Sequence, residues 1–165
     1  NQNFGLLIAF VLPGFILLWG LQPWCPLIGT WLGHAATDVP SVGGFLYVSM
    51  ASVAAGQLVS TFRWLTIDTL HHHTGIAPPR WNFRKLKDRV AAYDRLIEIH
   101  YRYYQWHANG LIAVTTTAIL RWSADSFSYR ELLLMLFVDS LLYLGSRDTL
   151  SKYYRRVEEL LARDF

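Results

Sequence analysis

Three groups of residues in this chain have the types and spacing to do chemistry. Asp139 lies in LLLMLFVDSLLYLG, a carboxylate inside an otherwise apolar run. In lipid such a charge is costly, and it marks an ion or proton pathway, a contact between subunits, or a hydrogen-bonded tie between helices. Thr115, Thr116, Thr117, Gln57 and Tyr47 are its candidate partners. A proton relay needs further ionisable groups at similar depth, and none is visible, so the tie is the preferred reading. The second group is His71-His72-His73, with His100 and His107 further along. Adjacent histidines on a helix point about 100° apart, so three in a row do not share one ion in regular geometry. His100 and His107 are seven positions apart, which makes neither an HxxxH nor an HxxHH box. No metal or other cofactor is therefore expected.

The third group is Arg95-Leu-Ile-Glu-Ile-His100. It resembles the R-x4-H element of the HEPN ribonucleases, and the resemblance covers six residues. It implies a nuclease site shared across a dimer of helical domains, with Arg95 and His100 as its catalytic pair. The chain departs from the family in the intervening positions, where Leu96, Ile97 and Ile99 are apolar. The neighbouring aromatics Tyr101, Tyr103, Tyr104 and Trp106, with Arg102, have the composition of a stacking platform for nucleic acid. Their place at the start of an apolar stretch fits an interfacial belt better, and nucleic acid is not an expected partner.

The elements that must position these groups are helices in lipid. Of the 165 residues 53% are hydrophobic and only 16% charged, against about 25% charged in soluble domains. Mean hydropathy is +0.22. The deficit is uneven, because Asp38 is the only charged residue before Arg63. The stretch from Gly43 to Phe62 has 20 residues and no charge, enough at about 1.5 Å per residue to cover a hydrocarbon core of roughly 30 Å. Three more apolar stretches complete an all-α, four-span transmembrane bundle, with spans at about 4–22, 43–62, 105–121 and 130–146. Pro13-Gly14 is expected to kink the first span. A short helix is expected around Pro26 to Leu32, and His34 and Asp38 read as a solvated loop pair. The opening residues lack the basic stretch and cleavage site of a secretion signal. The single cysteine, Cys25, excludes an intrachain disulfide.

Gly44, Ser52, Gly56 and Ser60 recur at four-residue spacing, with Val48 continuing the row, and form a close-packing helix face. Whether its partner lies in the same chain is not readable. Gln57, the one strongly polar group of that span, is expected to face protein. The second helix is expected to run on past Arg63 until Gly75 and Pro78-Pro79 end it. A long helix is then expected from Phe83 to Trp122, capped near Asn82 and entering the membrane near Tyr104 to His107. Val157, Leu160 and Leu161 give the C-terminal segment an apolar face.

Counting Lys and Arg orients the chain. Residues 63–102 carry eight and residues 147–165 carry five, while Arg121 and Arg130 bracket the turn after the third span. Thirteen against two puts both termini and the central segment in the cytoplasm. Residues 63–104 and 147–165 are expected to form a small cytoplasmic helical bundle on a single integral membrane domain. The expected partners are the lipid bilayer, further copies of the chain and a soluble cytoplasmic protein, met by Lys85, Lys87 and Arg89. This describes a non-enzymatic scaffold or sensor. The alternatives are a homo-oligomeric channel or membrane-permeabilising effector, with Asp139, Gln57 and the threonines along its path, or a membrane-bound enzyme.

Overall fold

The computed structural model describes residues 5, 7–32, 42–79, 81–86, 89–124 and 128–162, with the side chain of Lys85 excepted. His34, Asp38 and Lys87 lie outside them. The described residues form an all-helical protein. α1 (Leu7–Leu21) is followed by the short α2 (Pro26–Leu32) and by α3 (Val42–His73). A 3-10 turn (Phe83–Leu86) precedes α4, which covers residues 90–123, and α5 (Tyr129–Ala162) closes the chain. α1, α3 and α4 pack against one another, and α5 lies mainly along α4.

α3 is the one helix among the described residues that is long and apolar enough to cross a membrane. Only 22% of its apolar window is buried within the chain, whereas the core helix of a soluble protein would be mostly covered. Phe45, Leu46, Met50, Leu58 and Phe62 all stand exposed on it. α1 is a shorter apolar helix. α3 runs past Arg63 without a break and stops where the sequence predicts, at Gly75, whose φ is 95°. There the Ile76 N–H donates to the His71 carbonyl, 2.9 Å, a glycine cap of the Schellman type.

Two small-residue contacts fix the helix packing. A Cβ on Gly14 would stand 1.8 Å from the Ser52 carbonyl oxygen, and one on Gly56 would stand 2.1 Å from that of Phe10. Ser52 and Gly56 therefore meet α1 of the same chain, backbone against backbone. That answers which helix the small-residue face serves. Pro13 lies in the first turn of the regular part of α1, directly after a π-helical turn at Leu7–Val11. The carbonyl of Ala9, four residues before Pro13, loses its usual helical donor. Asn109 Nδ2 on α4 donates to it instead, 2.8 Å, and Thr117 Oγ1 donates to the Ile16 carbonyl, 2.9 Å.

The expected helix from Phe83 is corrected. Asn82 Oδ1 accepts from the Arg84 N–H at 3.2 Å, yet it starts only the 3-10 turn, and α4 begins at Val90. The turn folds Trp81 and Leu86 onto Tyr153, Val157 and Leu161 of α5. Burying those aromatics outweighs continuing a charged helix through water. α5 is a single helix of 34 residues, about 51 Å long. Leu142, Ser146, Leu150, Tyr153, Val157 and Leu161 form its buried stripe at steps of three or four. Leu160 is half-buried beside it.

Candidate functional site

The densest cluster of ionisable side chains lies where the apolar half of the bundle meets the charged half. Arg63 and Asp68 are five positions apart, which on a regular α-helix would point them well away from each other. The π-helical turn Trp64–Asp68 closes that step, and Arg63 Nε comes to 3.7 Å from Asp68 Oδ1 with both side chains largely covered. The Tyr104 hydroxyl of α4 donates to the same carboxylate oxygen. The Arg63 guanidinium also sits over the Tyr104 ring, 5.3 Å from its centre. Burial and the bond to Asp68 push the Tyr104 hydroxyl far above its ordinary range. It acts as a fixed hydrogen-bond donor and not as an acid near neutral pH. Among the described residues Arg63 Nε and Nη1 have no hydrogen-bond partner.

His71, one turn further along α3, is fully buried. Its Nε2 is 2.9 Å from Ser146 Oγ on α5. The Ser146 hydroxyl already donates to the Tyr143 carbonyl, 2.8 Å, so it accepts from His71 and the ring carries its proton on Nε2. Nδ1 is then left without a partner. Burial, followed by the nearby Arg147, holds the imidazole below its ordinary pKa. Arg147 is itself tied to Thr74, donating to Oγ1 at 2.5 Å and to the carbonyl at 3.3 Å. The layer thus locks α3, α4 and α5 together through Arg63, Asp68, Tyr104, His71, Ser146 and Arg147.

The three adjacent histidines diverge. His71 meets Ser146, His72 Nε2 lies 3.4 Å from the Tyr154 hydroxyl, and His73 is exposed. His107 is on α4, its Nδ1 2.7 Å from the Tyr103 carbonyl. Among the described residues no group of three or more His, Cys, Asp or Glu is placed to hold a metal ion. Arg95 is exposed and pairs with Glu98 at 3.6 Å. His100 is half-buried, and burial together with Arg156 and Lys152 lowers its pKa.

Asp139 lies against one of its expected partners. Thr115 Oγ1 donates to its Oδ2 at 2.9 Å, and Oδ1 is covered without a partner. Thr117 serves α1 instead, and Tyr47 stacks on Trp31. Gln57, expected to face protein, is exposed on the outer side of α3. The packing there explains this, because Ser52, Ala55, Gly56 and Val59 already fill the inner side. Asp139 and Thr115 meet, while Thr117 turns to α1 and Gln57 stands exposed on α3. Of the expected partner-facing cations, Arg89 is occupied, donating to the Leu160 carbonyl.

Comparison with protein families, with characterised proteins and with solved structures finds no match to this chain. Nothing in composition singles out Arg63, Asp68, Tyr104 or Ser146. The one available signal was the pair of opposite charges directly after the apolar run of α3.

Proposed function

We propose that the chain is a four-span membrane protein whose charged half is a cytoplasmic platform for a soluble partner, with no catalytic step of its own. The observation that carries this reading is the separation of surfaces along the helices. Large exposed apolar residues crowd the half formed by the start of α3 and the start of α5, including Phe45, Met50, Leu133, Leu134, Phe137 and Leu144. The other half carries most of the Lys and Arg. A soluble protein seldom exposes so large an apolar face, and lipid is the solvent that suits it. Trp24 Nε1 donates to the Leu120 carbonyl at 3.1 Å, next to Trp122, which gathers tryptophans at one end of the apolar half, as at a membrane interface.

Topology is tested first. Cys25→Ser removes the native thiol, and single cysteines then replace the exposed Ser128 or Ser151. An impermeant maleimide applied to intact cells should label position 128, and it should reach position 151 only after lysis. Labelling of position 151 from outside overturns the reading. The platform is tested by co-purification from native membranes with charge reversal at Lys85 and Lys87. Arg89 is a poor choice for reversal, since it also holds the end of α5. Loss of a co-purifying protein is expected; a variant that keeps the same companions refutes the platform.

Self-association stands second. Ser52 and Gly56 of the small-residue face that suggested it are taken by α1, so copies would meet through the exposed α5 residues Leu133, Phe137 and Leu144. Crosslinking from cysteines at these positions is the direct check.

A further inference from the structure

The face of α3 turned away from the bundle has an order of its own. Tyr47, Met50, Ala54, Gln57 and Thr61 follow one another at steps of three, four, three and four residues, within the regular α-helical stretch Val42–Arg63. That is the spacing of a seam along which two helices pack as a left-handed pair. All five residues are exposed, whereas Ser52, Ala55, Gly56 and Val59 on the opposite side are buried.

Gln57 is the residue of this face that lipid serves worst. Among the described residues no hydrogen bond reaches its side-chain amide. The Thr61 hydroxyl, one turn on, donates to the Gln57 backbone carbonyl at 3.1 Å and leaves the amide bare. Hydrocarbon offers neither donor nor acceptor, so a bare amide is costly there. Helical side chains lean toward the start of their helix. In α3 that direction leads away from the charged end at Arg63 and deeper into the apolar half.

We infer that this face binds a second copy of the chain, α3 against α3, with the Gln57 amide of each copy bonded to that of the other. The inference rests on the membrane placement proposed above. It prefers α3 to α5 as the contact between copies, since lipid solvates Leu133, Phe137 and Leu144 as well as protein does. Complementarity selects the occupant. A carboxamide carries both donor and acceptor and so matches itself. Copies inserted the same way hold Gln57 at one depth, and a two-fold axis along the seam sets each amide against its twin. Ala54 and Thr61, on either side of Gln57 along the seam, are small enough for the backbones to approach. Gln57 then faces protein, as its polarity requires, between chains and not within one.

The test uses the full chain in native membranes, with Cys25→Ser as background and copper phenanthroline as oxidant. Ala54→Cys should yield a disulfide-linked dimer, and Phe137→Cys should not. In dodecylmaltoside micelles, Gln57→Leu should raise the dissociation constant of the dimer roughly tenfold, through loss of the paired amide bonds. The side chain is exposed and has no partner among the described residues, so this variant keeps the fold of the single chain. A dissociation constant that Gln57→Leu leaves unchanged or lowers overturns the inference, as does crosslinking at position 137 without crosslinking at position 54. An alkaline carbonate wash separates the two ways of failing. A chain that it releases loses the membrane placement itself, whereas one that stays in the membrane without the position 54 crosslink loses only the α3 contact.

Discussion

Asn109 shows how one residue repairs the defect another creates. Pro13 deprives the Ala9 carbonyl of a helical donor, and the Asn109 amide reaches across from α4 to supply one at 2.8 Å. Removing it leaves a buried acceptor unpaired, which costs about 1–3 kcal/mol. Asn109→Ala should lower the unfolding midpoint, and adding Pro13→Ala, which restores the donor within α1, should recover part of the loss. Glycines give a sharper contrast. Gly14→Ala or Gly56→Ala drives a methyl into backbone oxygen at 1.8 or 2.1 Å and should prevent native packing of α1 on α3. At Gly110 the nearest atom is a Leu142 side-chain carbon at 3.4 Å, so Gly110→Ala should stay close to native stability. Expression and melting of the three variants check the ranking.

His71 carries the pH prediction at the same scale. It lies beyond the 43–62 stretch, faced by Asp68 and His72 from α3, by Tyr104 from α4, and by Tyr143 and Arg147 from α5. Protonation would place a new N–H on the buried, unpartnered Nδ1, beside a cation. The unfolded chain takes up a proton near pH 6.5 while the folded one resists to lower pH, so the unfolded state binds more protons and stability falls on acidification. Melting midpoints should drop between about pH 7.5 and about pH 5.5. His71→Asn, which keeps a donor toward Ser146, should show a smaller drop. An equal drop in both would place the sensitivity elsewhere, with His100 the next candidate.

At the scale of elements, helix periodicity and helix ends were legible. The stop of α3 at Gly75, the short α2 at Pro26–Leu32 and the buried row through Val157 and Leu161 all follow from residue types at fixed offsets. So does the bond between Thr115 and Asp139, since a carboxylate in an apolar run needs a donor on a neighbouring helix. What could not be read depends on pairing between distant segments. The small residues of α3 announce a close neighbour without saying which one, and α1 proves to be it. The late start of α4 is a tertiary effect, set by Trp81 docking edge-on against Tyr153 and Tyr154. The Arg63–Asp68 pair hides behind its spacing, because five residues join hands only across a π-helical turn. Deleting one residue between them makes the spacing four, which a regular helix places on one face, so Asp68 should stay within reach of Arg63 and Tyr104. A fall in stability no larger than that of Tyr104→Phe is expected; a larger one would show that the π-helical turn itself holds the layer.

Across the whole molecule, α5 joins the two halves. It runs from Tyr129 to Ala162 without interruption, with Asp139 near one end and the Tyr153–Val157–Leu161 cluster near the other. A helix with no hinge along its length behaves as a torsion bar: a twist of a few degrees at one end arrives at the other almost undiminished. A rotation of α5 at Asp139 would turn the face shown by Arg155 and Glu158, about four to five turns away. A glycine pair at Ser151-Lys152 would soften the bar, leaving both ends folded but mechanically deaf to each other.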